Sequence, residues 1–190
     1  DGDSTYGSII DNPNPIFSWS AEHSENEQYQ SEYRLTVRSG DRCKWDSGWI
    51  QDSRQSAEYQ GEELKTAEEL FWTVQLKDRN GLESDIQESH FRMGWMENWK
   101  AQWITTPWDE ERQTKYFQKK IEIQKAVKKA YLYLCGIGYH HVTLNGDEID
   151  EAYLQPAISN YTKNCYYVTL SVKEFLKEAG KNYVALNLNI

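Results

Sequence analysis

Between Tyr33 and Arg38 apolar and polar side chains alternate, with Tyr33, Leu35 and Val37 on one phase and Arg34, Thr36 and Arg38 on the other. This period of two constrains the fold more than any other feature of the chain, because successive side chains of an extended strand point to opposite faces. One face of such a strand is buried and the other meets water. The same period returns at Trp72, Val74 and Leu76 in FWTVQLK, and at Val184, Leu186 and Leu188, which alternate with Ala185, Asn187 and Asn189. Asn80-Gly81 and Asn145-Gly146 accept positive φ and close tight hairpins. The chain therefore reads as all-β and antiparallel.

In the first half, Phe17 and Trp19 precede the alternating strand, WDSGWI follows it, and His90-Phe91-Arg92-Met93 closes the series. That spacing suits a seven-strand sandwich of about 100 residues ending near Gly94. All eight tryptophans lie at or before Trp108, and tyrosine carries the aromatic content afterwards. This change of composition predicts two β-sandwich domains, 1–94 and 95–190. Four of the tryptophans fall in WMENWKAQWITTPW, too aromatic for a flexible spacer. The segment reads as a packed junction in which Trp95, Trp99 and Trp103 are mostly buried, although such rings can also stack on sugar faces.

The second half resumes with YFQKKIEI, where Phe117, Ile121 and Ile123 share a face that Lys119 interrupts. AYLYLCG is apolar at nearly every position, as expected of a strand covered on both faces, central or lying against a neighbouring domain. In SVKEFLKEAG, Ser171 and Glu174 have the spacing of a capping box. Val172, Phe175, Leu176 and Ala179 form a helical stripe, and Gly180 is placed to end it. A short helical lid on the β-structure is expected there.

The 190 residues are 38% hydrophobic and 14% aromatic, enough to build cores, and the formal net charge is −9. A partner rich in phosphate requires a basic face, so neither nucleic acid nor an anionic membrane is expected, and a neutral or polar ligand fits better. No apolar run approaches the roughly 20 residues that would span a bilayer. Cys43, Cys135 and Cys165 form neither a disulfide framework nor a metal knuckle, and at most one bridge can form among them. The start, Asp1-Gly2-Asp3-Ser4-Thr5, is acidic and polar and shows no signal-peptide pattern. The chain reads as a processed product or an excised piece whose native targeting is hidden.

The stretch GIGYHHVTLNG poses the question of a metal site. On a regular strand His140 and His141 face opposite ways and cannot both reach one ion. The stretch is a strand and a turn, with one histidine at most facing a ligand. Acidic runs at Asp109-Glu110-Glu111 and around Asp147-Glu148 and Asp150-Glu151 read as solvated surface. Glycoside hydrolysis requires two carboxyl groups about 5 to 10 Å apart across a sugar, and no local run supplies that. No catalytic or metal-ligating residue is assigned. Asn160-Tyr161-Thr162 matches the short glycosylation acceptor pattern.

In order along the chain, NPNPIFSWS, YQSEYRLTV, WDSGWI, EYQGEEL, FWTVQLKDRNGLES and HFRMG resemble the fibronectin type III-like module of bacterial α-L-rhamnosidases of glycoside hydrolase family 78. From WKAQWI onward the chain resembles that family's N-terminal jelly-roll domain, itself similar to galactose-binding modules. The likeness rests on Gly138-Tyr139, Leu144-Asn145-Gly146, Pro156 with Tyr161, Tyr166-Tyr167 and the turn Glu178 to Asn182. Two departures stand out. Ala157-Ile158 occupies the place of a frequent tryptophan, and a glycine-rich segment usually follows the final strand, so the second sandwich is expected to be incomplete. The resemblance implies that catalysis belongs to an α/α barrel further along the parent chain, with these modules in a structural or substrate-recognition role.

The implied partners are a rhamnose-containing glycan or glycoside and that downstream catalytic domain. A bacterial source, periplasmic or extracellular, would be consistent. Some relatives bind rhamnose on this kind of domain with calcium, but no residue here is matched to that ion and no cofactor is assigned. A stand-alone carbohydrate-binding module and a cell-surface adhesion protein are the competing readings. For a sugar site, the rings of Tyr139, Tyr153 and Tyr161 with the polar groups of Asn145 and Asp150 are the candidates. The alternative is that Tyr139 and Tyr161 pack the core and the acidic loop is solvated.

Overall fold

The computed structural model describes residues 8–22, 27–106, 114–149, 156–177 and 180–189. It divides into two compact units, Asp1–Trp99 and Lys100–Ile190. Among the described residues both are all-β, apart from one turn of 3-10 helix in the second.

The first unit contains β1 (Ser8–Ile10), β2 (Ile16–Ser18), β3 (Gln30–Ser39), β4 (Arg42–Gln51), β5 (Ser56–Glu58), β6 (Glu69–Asp78) and β7 (Gln87–Met93). A five-stranded sheet runs β1-β7-β6-β3-β4, and β2 pairs with β5 in a second, two-stranded sheet. All neighbours are antiparallel except β1, which lies parallel to β7. The alternation in β3 places Leu35 and Val37 at 0% exposure with Tyr33 beside them, while Arg34, Thr36 and Arg38 turn outward. From the small sheet Phe17 reaches into this layer, 4.9 Å from the Trp72 ring and 5.7 Å from that of Phe91. The hairpin expected at Asn80-Gly81 is present: Gly81 has φ +81°, and Asp78 Oδ1 accepts the backbone N–H of Asn80 and Leu82 at 2.8 Å each.

The second unit contains β8 (Lys115–Ile123), β9 (Tyr131–Leu134), β10 (Tyr139–Leu144), β11 (Asp147–Glu148), β12 (Val168–Ser171) and β13 (Gly180–Asn189). Four strands lie in the order β11-β10-β13-β8, and β12 pairs with β9. Val142, Leu144 and Val184 from the larger sheet meet Leu132, Leu134 and Leu170 from the smaller, with Val172, Phe175 and Leu176 closing one side. Two antiparallel layers thus enclose the core, as sandwich packing requires.

Several expectations change here. AYLYLCG is not a central strand: β9 has one neighbour among the described residues, β12, and all four of its residues are half-buried. The reason lies in the sheet order, which leaves β9 in a two-stranded sheet with β12. Leu132 and Leu134 face the core, while Tyr131 and Tyr133 occupy the other face. The helix shrinks to a 3-10 turn, Lys173–Phe175, whose N-cap is Val172 and makes no side-chain capping bond. Ser171 is spent as the last residue of β12, so no capping box forms, although Val172, Phe175 and Leu176 still cover the core. Trp99 and Trp103 are 46% and 66% exposed, not buried. From Glu97 to Thr105 the chain is irregular, so these rings have no sheet of their own to lie on. Only Trp95 is half-buried, its ring 5.7 Å from that of Trp99.

Candidate functional site

The hairpin that drew attention in the sequence is built as its residues dictate. Asn145 at φ +57° and Gly146 at φ +99° turn β10 into β11. His140 is buried and His141 faces outward, 3.3 Å from the Glu148 carboxylate, so the two histidines do not converge. Among the described residues no cluster of three or more His, Cys, Asp or Glu side chains is placed to hold a metal.

Of the five sugar-site candidates, Tyr139 and Asn145 stand at opposite ends of β10. Asn145 is committed to the protein. Its Nδ2 donates to the Phe175 carbonyl at 2.8 Å and to Asn182 Oδ1 at 2.9 Å, and its Oδ1 accepts the Tyr183 backbone N–H at 3.0 Å. Asn182, at 0% exposure, accepts the Lys177 backbone N–H at 2.7 Å through the same Oδ1. This pair of amides ties the hairpin to the start of β13 and offers no free group to a ligand. Tyr139 opens β10 at its far end, and at about 3.3 Å per residue it stands roughly 20 Å from Asn145, beyond the reach of one sugar ring. Tyr161 is exposed in a turn where Asn160 Oδ1 accepts from the Thr162 backbone N–H and hydroxyl. Asp150 and Tyr153 lie outside the described residues.

The first unit holds a cleft that the sequence did not suggest. It has a volume of about 550 Å³ and opens where β4, the edge of the large sheet, parts from β5, the edge of the small one. Tyr33, Trp45 and Ile50 line it from the large sheet, Asp52 and Arg54 from the connection, and Gln60 from beyond β5. Trp45 is held by Tyr59, whose ring stands edge-on at 5.4 Å. Gly61 makes this packing possible, since a Cβ there would sit 2.5 Å from Trp45 Cβ and from the Tyr59 hydroxyl.

The connection between β4 and β5 is pinned from below. Gln30, 5% exposed, donates through Nε2 to the carbonyls of Asp52 and Arg54 at 2.9 Å each, while its Oε1 accepts the Trp19 indole N–H at 2.7 Å. Asp52 in turn accepts Arg54 Nε at 2.8 Å, and this bond, with the Arg54 backbone N–H, holds its carboxyl below the usual range. Burial, with the nearby Asp52 charge, pushes the Tyr33 phenol up. Tyr33 is 7% exposed, and its hydroxyl makes no hydrogen bond to a described residue. In the sequence WDSGWI reads only as a strand segment, and no motif marks this place. The cleft depends on which strands become edges, and periodicity does not carry that information.

Residues 4–97 match the family model of Rha78A-like, N-terminal immunoglobulin domains, and residues 125–189 match that of the α-L-rhamnosidase N-terminal domain. The chain carries the N-terminal domains of the α-L-rhamnosidases. It is 32% identical to an α-L-rhamnosidase of Formosa agariphila over 94% of its own length and 22% of that protein's. A rhamnosidase of Alteromonas sp. (strain LOR) is also 32% identical, over 83% of this chain and 20% of that protein. The chain thus spans about a fifth of the curated relatives it matches. The solved α-L-rhamnosidase of Dictyoglumus thermophilum superimposes with a TM-score of 0.81 at 29% identity, covering 97% of this chain and 24% of that one. The Aspergillus terreus enzyme shares the fold, with a TM-score of 0.71 at 17% identity, over 97% of this chain and 22% of that one.

Proposed function

We infer that this rhamnosidase segment is a non-catalytic pair of N-terminal modules in a protein that hydrolyses terminal α-L-rhamnosides. Its substrate would be a rhamnose-containing glycoside, and its constant partner a catalytic domain of the same parent chain. The observation that carries the reading is the order of the two domain matches, immunoglobulin-like and then rhamnosidase N-terminal, over 4–97 and 125–189. Two of the three acids that line the cleft support it by their engagement: Asp46 is held by Arg34 and Asp52 by Arg54, so neither is a carboxyl poised to give up a proton near neutrality. An aryl α-L-rhamnoside assay tests the reading. The 190-residue chain should release no phenol above a blank, and the product of the native gene that contains it should turn over. Activity in the isolated chain that survives repurification and falls on mutation of one of its carboxylates refutes the non-catalytic role. An inactive native product refutes the assignment of the parent.

A further inference from the structure

We propose that the cleft between β4 and β5 of the first unit is a binding site for a neutral saccharide, distinct from any site on the second unit. The inference goes beyond the proposed function, because it rests on the lining and not on the parent's activity. At about 550 Å³ the cleft lies within the range of roughly 300 to 1,000 Å³ typical of small-ligand sites.

The lining combines what a sugar needs. Trp45 and Ile50 supply apolar surface for the C–H face of a ring. Tyr33 supplies a hydroxyl that gives and accepts, Gln60 an amide that does both, and ionised Asp52 an acceptor. A sugar hydroxyl is itself donor and acceptor, so it can satisfy this mixture. A purely apolar ligand would leave the Tyr33 hydroxyl unpaired and would desolvate Asp52, each at a cost. Tyr33 is the decisive residue: its ring is packed in the core, its hydroxyl has no hydrogen bond to a described residue, and it lines the cleft.

Two other ligand classes fit less well. An anion would meet Asp46, Asp52 and Glu58 in the lining, against the single cation Arg54, which already serves Asp52. A peptide strand added to the β4 edge would meet an irregular ladder. The pairing of β3 with β4 shifts register between Arg34 and Thr36, Ser47 Oγ takes the Leu35 N–H at 2.8 Å, and Gly48 has φ +62°. A bulge of this kind protects an edge against strand addition.

The geometry also explains why the site would need little rearrangement. Buried Gln30 holds both carbonyls of the Asp52–Arg54 turn, so the polar end of the cleft is fixed before a ligand arrives.

The test is an NMR titration of the full 190-residue chain with rutinose, cellotriose and maltotriose, each up to tens of millimolar. At least one sugar should give saturable shifts at the Trp45 indole and at amides from Ile50 to Gln60. Tyr33→Phe, which keeps the ring, should weaken that binding about threefold to tenfold without lowering the melting temperature by more than a few degrees. Ile50→Asp, at a residue 37% exposed, should abolish it by placing a charge where the ring face rests. No shift with any of the three sugars, shifts confined to the second unit, or wild-type affinity in Tyr33→Phe would each overturn the proposal. None of these readouts depends on hydrolysis, so the proposal can fail while the assignment of the parent stands.

Discussion

Asn145 and Asn182 show how one residue type can serve structure where its composition invites a ligand. A buried amide must use its donors and acceptor, and in this pair they go to Phe175, Lys177, Tyr183 and each other. Asn182→Ala should cost about 2 to 4 kcal/mol, because it removes a buried acceptor and leaves the Lys177 N–H and one Asn145 proton unmatched. Urea denaturation followed at the second unit measures this, and a loss under 1 kcal/mol would contradict the role assigned (about one ordinary hydrogen bond). Glu68 gives a pH test in the first unit. Its carboxylate lies 3.2 Å from Lys44 Nζ, whose side chain is 4% exposed. Burial pushes the Glu68 pKa up, but the Lys65 backbone N–H and Lys44 outweigh it and the net shift is downward. A depressed folded pKa contributes stability that is complete above the unfolded value, near 4.5, and is lost as pH falls through the folded one. Glu68→Gln should therefore flatten the stability profile below about pH 4.5. Parallel profiles for variant and wild type would contradict it.

At the level of elements, what could be read in advance was whatever a single strand or turn determines alone. The inward phase of β3, the hairpins at Gly81 and Gly146 and the divergence of His140 from His141 all follow from a period of two and from φ. What escaped depends on neighbours. An apolar run reads alike for a central strand and for one lying against a neighbouring domain, and the capping box fails because Ser171 pairs with Tyr131 of β9. The cleft escaped for the same reason, since an edge is a property of the sheet order. Cys135 and Cys165 are half-buried free thiols close enough to interact, and burial, with Cys165 beside it, raises the Cys135 thiol. Iodoacetamide at neutral pH should modify exposed Cys43 first. Diamide, taking up two electrons and two protons, should join Cys135 to Cys165, and closure of a loop of about 30 residues would stabilise the second unit by up to about 3 to 4 kcal/mol. Peptide mapping that finds both thiols free, or a bridge to Cys43 instead, would contradict this reading.

For the whole molecule, each unit carries a core of its own, and the two differ in kind. The first, among its described residues, buries ten hydrophobic side chains, including the rings of Phe17, Tyr33, Tyr59 and Phe91. The second, among its described residues, buries the four smaller side chains Val142, Leu144, Ile149 and Val172 and leans on half-buried neighbours. At about 1.5 to 3 kcal/mol for each buried side chain, the first core holds the larger hydrophobic contribution. A domain with its own core unfolds as its own cooperative unit. Calorimetry of the intact chain should therefore resolve two transitions, the lower one belonging to the second unit. Leu35→Ala and Leu144→Ala assign them, since each removes a side chain at 0% or 1% exposure from one core only, at a cost of about 2 to 5 kcal/mol. Leu35→Ala should lower the upper transition and leave the lower in place, and Leu144→Ala should do the reverse. One transition that both variants shift equally would show that the cores unfold together, and the division at Trp99 would then have no thermodynamic meaning.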